Sequence, residues 1–287
     1  MGSYISSIFK SASDEELINC ELTPQQIKCC QSIIDKNMYL IISNRINFQQ
    51  QKTLFNEFQK AYNHPFLLSG VKNDIIQQEK LKNPNTSNDD IFVKSSGKMI
   101  FLDQLLTTKV EEGHKILIIS RFQQMTVLLY NYLTTKFPKT CLFDNTIRGK
   151  ERQNIIDNFL NGNVDIFILC VDTLQNGINL TAADTIIIYE SYLETKNYLN
   201  AINCCLRKNN KDVKIYRLIT KQSFEPKLLD LMKTSYSKKS ILLNQNIEFL
   251  LRFAFLYSYR SLIDISENDT KSPNFWVIFN KDLRSHS

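Results

Sequence analysis

The feature that most restricts how this chain can fold is an alternation that begins after Gly97, where short unbroken apolar runs take turns with segments of helical apolar spacing. Ile116-Leu117-Ile118-Ile119 and Ile166-Phe167-Ile168-Leu169-Cys170 hold no polar side chain to place on a wet face, so each reads as a strand covered on both sides. Further strands are expected at 140–143, 185–189 and 214–218, and helices at 99–109, 125–137, 148–160 and 198–206. Strands separated by helices of about ten to fifteen residues pair in parallel, because only a crossover of that length reaches a parallel neighbour. The expected fold is α/β, a three-layer lobe with a mainly parallel sheet. Ligands of such sheets gather beyond the carboxyl ends of the strands.

The flanks read differently. Residues 1–70 form a helical lead-in: Thr23 as N-cap and Pro24 as first residue open a helix over 22–42, and a second helix over 49–62 stops at Asn63-His64-Pro65. Residues 71–96 are rich in Asn, Asp, Gln and Ser with few large apolar side chains, and read as a polar loop or disordered insertion. The α/β lobe occupies 97–222. A helical extension over 223–265 follows, with helices at 228–235 and 247–259, and then a loosely held tail over 266–287. Asp14-Glu15-Glu16 has no buried strand before it and reads as a solvated helix start.

A hydrophobic content of 43% is ample for a core, and a net charge of +6 suits an anionic partner without demanding one. Seven cysteines, an odd number with no C-x-x-C pair, read as buried thiols in a reducing compartment. No apolar run approaches the ~20 residues that cross a bilayer, so no membrane partner is expected. None of the seven glycines opens a G-x-x-x-x-G-K-[ST] phosphate loop, which excludes a self-sufficient ATPase of that type. A dinucleotide enzyme is disfavoured in the same way, for want of G-x-G-x-x-G.

Polar residues stand just past the apolar runs: Ser120-Arg121, Asp144-Asn145-Thr146, the stretch 172–179, and Glu190-Ser191. Arg207 closes a helix. A guanidinium stays ionised and binds phosphoryl oxygens with two parallel bonds, yet a cation at a helix end also simply offsets the helix dipole. Strand-end polar groups can equally be solvated loops.

Six stretches follow one another in a telling order: Asn63-His64-Pro65-Phe66-Leu67-Leu68; Ser96-Gly97-Lys98-Met99; Gly113-His114-Lys115-Ile116-Leu117-Ile118 with Ser120; Phe143-Asp144-Asn145-Thr146; Gly177-Ile178-Asn179-Leu180-Thr181-Ala182-Ala183-Asp184-Thr185; and Ile215-Tyr216-Arg217-Leu218-Ile219-Thr220. This order resembles the C-terminal RecA-like lobe of the Swi/Snf-type chromatin-remodelling ATPases of helicase superfamily two, over about 22 to 232. Glu21-Leu22-Thr23-Pro24-Gln25-Gln26 and Leu250-Leu251-Arg252-Phe253 are similar to the chromodomain-helicase-DNA-binding branch.

The resemblance implies the second motor lobe of a DNA translocase, whose helical extension is brace-like. It implies Arg207 as arginine finger, nucleotide contacts from Gly177, Asn179 and Arg207, and DNA-backbone contacts from Ser120, Arg121, Asp144, Thr146 and Thr173. ATP and Mg²⁺ would be bound only in combination with a first lobe, with no metal held by this chain alone. The implied partners are double-stranded DNA or a nucleosome and an N-terminal ATPase lobe in cis or trans, and the implied location is the nucleus.

Departures matter too. Where the family writes Ser-Thr-Arg-Ala-Gly-Gly-Leu-Gly, this chain has Cys170, Val171, Asp172, Thr173, Leu174, Gln175, Asn176 and Gly177, and the first of two expected arginines of motif VI has become Cys204. The chain is therefore expected to be inactive alone. A second reading stands beside the motor lobe: a degenerate, non-enzymatic module that binds DNA or chromatin proteins.

Overall fold

The computed structural model describes residues 15–42, 47–174, 178–190, 195–206, 213–226 and 228–230. Six strands form one fully parallel sheet: β1 (Glu15–Cys20), β2 (Ile116–Ser120), β3 (Thr140–Phe143), β4 (Ile166–Cys170), β5 (Thr185–Ile188) and β6 (Lys214–Thr220), in the order β1-β6-β5-β2-β4-β3. The helices are α1 (Pro24–Ile42), α2 (Phe48–Asn63), α3 (Val71–Lys82), α4 (Asn88–Lys94), α5 (Gly97–Glu111), α6 (Gln123–Lys136), α7 (Lys150–Leu160) and α8 (Thr195–Cys205).

In-phase register converts the apolar runs into two cores. Ile116 lies opposite Ile166 and Thr185, and Ile118 opposite Ile168 and Ile187, so residues two apart share a face. Ile116, Ile118, Ile168, Ile187 and Leu218 pack under α5 and α6 through Met99, Leu102, Leu106 and Leu129. Leu117, Ile119, Phe167, Leu169 and Ile188 pack on the other side under α7 and α8 through Phe159, Ala201 and Ile202. Each fully buried aliphatic side chain contributes about 1.5–3 kcal/mol, which is why these central strands carry no polar alternation.

A third core joins the two flanks. Cys30, Ile34, Phe55, Phe58 and Tyr62 of α1 and α2 close over Phe224 and Leu228, and the Phe224 ring stacks on Phe55 at 4.4 Å between centroids. The α1 start is as expected: the Thr23 hydroxyl accepts from the Gln26 amide at 3.2 Å, and the Gln26 side chain accepts from the Thr23 amide at 3.1 Å. Gln26 reaches further, donating to the carbonyls of Ala61 and Tyr62 and accepting from the Gly97 amide.

Two expectations are corrected. Glu15 and Glu16 belong to β1, an edge strand running parallel beside β6, and not to a helix. The strand forms because Leu17 to Cys20 can pair with Arg217 to Thr220, and Glu15 answers the Arg217 guanidinium in an ion pair. Residues 71–96 are not a loop but carry α3 and α4. These helices need few apolar residues because they dock on a finished surface: Ile75 is the buried residue of α3, and Ile91 and Phe92 anchor α4. Ser87 caps α4 by accepting from the Asp90 amide at 3.0 Å.

The helix expected at 228–235 begins as helix over 228–230 and otherwise lies outside the described residues, as do the helix at 247–259 and the tail. Among the described residues no helix is long and apolar enough to cross a membrane.

Candidate functional site

The carboxyl ends of four adjacent strands make a continuous ridge, in the lateral order β5, β2, β4, β3. Hydrogen bonds run along it from loop to loop. At the β5 end, one Glu190 carboxylate oxygen accepts from the Ser120 hydroxyl at 3.0 Å, from the Phe122 amide at 3.2 Å and from the Arg121 amide. At the β2 end, the Arg121 carbonyl accepts from the Cys170 thiol at 3.6 Å. At β4, Val171–Thr173 forms a 3-10 turn whose Thr173 hydroxyl donates to the Cys170 carbonyl at 2.6 Å. At β3, the Asp144 carboxylate folds the next residues into a tight turn, accepting from the Thr146 amide at 2.8 Å and the Thr146 hydroxyl at 2.5 Å.

Arg152 staples the last two loops. Its guanidinium donates to the carbonyls of Ile147 at 3.2 Å and Thr173 at 3.0 Å, and lies 4.3 Å from the centroid of the Phe143 ring.

This geometry redistributes the residues expected to meet a DNA backbone. The side chains of Ser120, Asp144 and Thr173 are buried and engaged in the internal bonds just described, through which they shape the loops. Arg121 is half-buried and Thr146 exposed, and exposed Arg148 and Lys150 extend the same face into the start of α7. Exposed Asp172 and, in the first turn of α7, exposed Glu151 are acidic residues of the same region.

A second patch forms where the chain returns toward β5. Asn179 accepts from the Thr181 amide at 3.2 Å and hydroxyl at 2.8 Å, and the Leu180 amide donates to the Cys204 carbonyl at 3.0 Å. Asn179 is thus brought beside the last turn of α8, three residues in sequence before Arg207. Gly177 and Arg207 themselves lie outside the described residues. The end of that stretch is structural: Asp184 accepts from the Lys115 amide at 3.3 Å and meets His114 at 3.0 Å, joining the starts of β2 and β5.

Glu190 is fully buried, and burial pushes its carboxyl up against the opposing pull of the Arg121 amide, Lys98, the Phe122 amide and the Ser120 hydroxyl. Its other oxygen has no hydrogen-bond partner among the described residues. Lys98 and Glu225, both fully buried, form an ion pair at 2.8 Å, with Lys98 also donating to Asn63 at 2.8 Å. Spacing gave no sign of this pair, since its members stand 127 positions apart. Burial raises the thiols of Cys20 and Cys170 to about 11, which keeps both protonated near neutral pH. Among the described residues no three His, Cys, Asp or Glu side chains stand together so as to hold a metal ion.

Residues 97–209 match the family described as helicase conserved C-terminal domain. Chromodomain-helicase-DNA-binding protein 6 of Rattus norvegicus is 34% identical over 75% of this chain and 8% of its own length, and chromodomain-helicase-DNA-binding protein 8 of Xenopus tropicalis 36% over 75% and 10%. Among solved structures, the C-terminal part of the Fun30 ATPase domain superposes with a TM-score of 0.65 at 24% identity, covering 86% of this chain and 96% of that one. The Sulfolobus solfataricus SWI2/SNF2 ATPase core in complex with dsDNA also gives 0.65, at 20% identity over 86% of this chain and 49% of that one. This chain carries a helicase C-terminal domain, and its fold is that of the SWI2/SNF2 ATPase C-terminal lobes. It spans about a tenth or less of the length of the curated relatives it matches. The Val171–Thr173 turn is closed by Thr173 and Arg152, and Cys204 is half-buried.

Proposed function

We propose that this chain works as the second motor lobe of a chromatin-remodelling DNA translocase in the nucleus, binding the phosphate backbone of double-stranded DNA or of a nucleosome. The observation that carries the reading is the ridge: four strand-end loops cross-linked into one surface, with Thr146, Arg148 and Lys150 exposed along it and Arg121 half-buried among them. Cations and hydroxyls held on rigid loops suit phosphate contacts, which fix register on a duplex without reading sequence. Asp172 weakens this surface relative to its neutral counterpart.

In the same reading Arg207 is the arginine finger of an ATP site shared with an N-terminal lobe in cis or trans, and Asn179 and Gly177 contribute nucleotide contacts. The first lobe holds the triphosphate and Mg²⁺. What this chain supplies is a cation that stays ionised at every working pH and offsets charge on the phosphoryl group.

Duplex binding by the full chain, followed by fluorescence anisotropy between about 50 and 200 mM salt, tests the DNA part. Affinity should fall steeply, and removing Arg148 and Lys150 together should flatten the slope by about two. Salt-insensitive or absent binding sinks it.

A non-enzymatic DNA- or chromatin-binding module is favoured by one observation, the cysteine at position 204. In a reconstituted two-lobe assembly, Cys204→Arg should raise ATP turnover if this is a weakened motor. Unchanged turnover in that variant, with turnover also unaffected by Arg207→Ala, selects the module.

A further inference from the structure

We propose that Glu190 is the positioning residue for the DNA face: its carboxylate ties the exit of β2 to the end of β5 and thereby sets where Arg121 stands. The inference rests on the DNA-binding reading above.

The geometry is specific. Ser120, Arg121 and Phe122 are consecutive, and all three donate to the same Glu190 oxygen, two through backbone amides and one through a hydroxyl. A loop leaving a strand ordinarily turns these donors toward water. Here they converge on a buried anion in the neighbouring strand's exit, so the Arg121 backbone is fixed from the inside while its side chain is half-buried, with the guanidinium Nη1 enclosed and the rest of the group left to face outward. Phe122 then starts α6 as an N-cap with no side-chain bond of its own, so the carboxylate also serves the helix start, where a negative charge is favourable. The thiol of Cys170 holds the Arg121 carbonyl from the other side. Both backbone polar groups of Arg121 are therefore tethered, one to β5's exit and one to β4's end.

A bond to the backbone of residue 121 acts on DNA only through the side chain at that position. Three measurements on the full chain separate this from mere support of the fold. Glu190→Ala should weaken duplex binding about tenfold and lower the salt slope by about one, as Arg121→Ala does. Combined with Arg121→Ala it should add nothing further. Glu190→Gln keeps an acceptor oxygen in place and should restore affinity to within about threefold of wild type.

Should Glu190→Ala not fold, Glu190→Asp carries the same double-variant test, because its carboxyl is drawn back by one methylene from the donors. Losses from position 190 and Arg121→Ala that simply add overturn the proposal, as does wild-type affinity in a folded Glu190→Ala chain. If the wild-type chain shows no salt-dependent duplex binding at all, it is the DNA-binding reading that fails instead.

Discussion

At Gly97 a Cβ would lie 1.8 Å from the carbonyl oxygen of Glu21, so the first residue of α5 must be glycine for the chain ahead of α1 to pass beneath it. The Gly97→Ala chain should lose about 3 kcal/mol, because backbone and not a flexible side chain has to move, and a urea titration measures it. His64 is a second residue with one workable chemistry. Its Nδ1 accepts from the Phe66 amide at 3.0 Å and its Nε2 donates to the Phe92 carbonyl at 2.9 Å, so the ring is neutral, and burial lowers it from 6.5 to about 4. The unfolded chain therefore takes up this proton first. Stability tied to His64 is complete above pH 6.5 and is lost as pH falls toward 4, by up to about 3 kcal/mol. Comparing unfolding free energies at pH 7 and 4.5 should show this fall in wild type and a smaller one in His64→Gln.

Among the elements, the joint between α2, α5 and the segment after β6 has the most at stake. Lys98 of α5 bonds Asn63 at the end of α2 and Glu225, whose second oxygen accepts from the Thr220 amide at 2.6 Å. Tyr189 and Ser96 both donate to the Asn63 carbonyl, which fastens the β5 exit to the same point. Lys98→Met leaves a buried carboxylate without its counter-charge and should cost about 3–5 kcal/mol, whereas Lys98→Met with Glu225→Gln should recover a good part of that loss. Equal destabilisation of the single and double variants would show that packing alone holds the joint. Helices α3 and α4 illustrate why elements of this kind escape periodicity: with Ile75, Ile91 and Phe92 as their buried residues, their apolar pattern is too sparse to announce a helix, and the docking surface supplies the rest.

Over the whole molecule, the lead-in helices and the segment after the sheet complete each other across more than 160 residues, through Phe224 stacked on Phe55 and edge-on to Tyr62 at 5.2 Å. Phe224→Ala should cost about 3–5 kcal/mol and expose α1 and α2 to proteolysis before the sheet, a pattern that limited digestion followed by mass spectrometry reads directly. The sequence alone determined the sheet's inner strands, their parallel pairing, the helices between them and the helicase C-terminal domain, because each rests on local periodicity or on short motifs within one element. The edge position of β1, the burial of Ser120, Asp144 and Thr173, and the convergence of three donors on Glu190 were decided only by tertiary structure. Whether a polar group beside a strand end meets water or a neighbouring loop depends on which strand lies next to it, and that lateral order is a property of the assembled sheet and of no single segment.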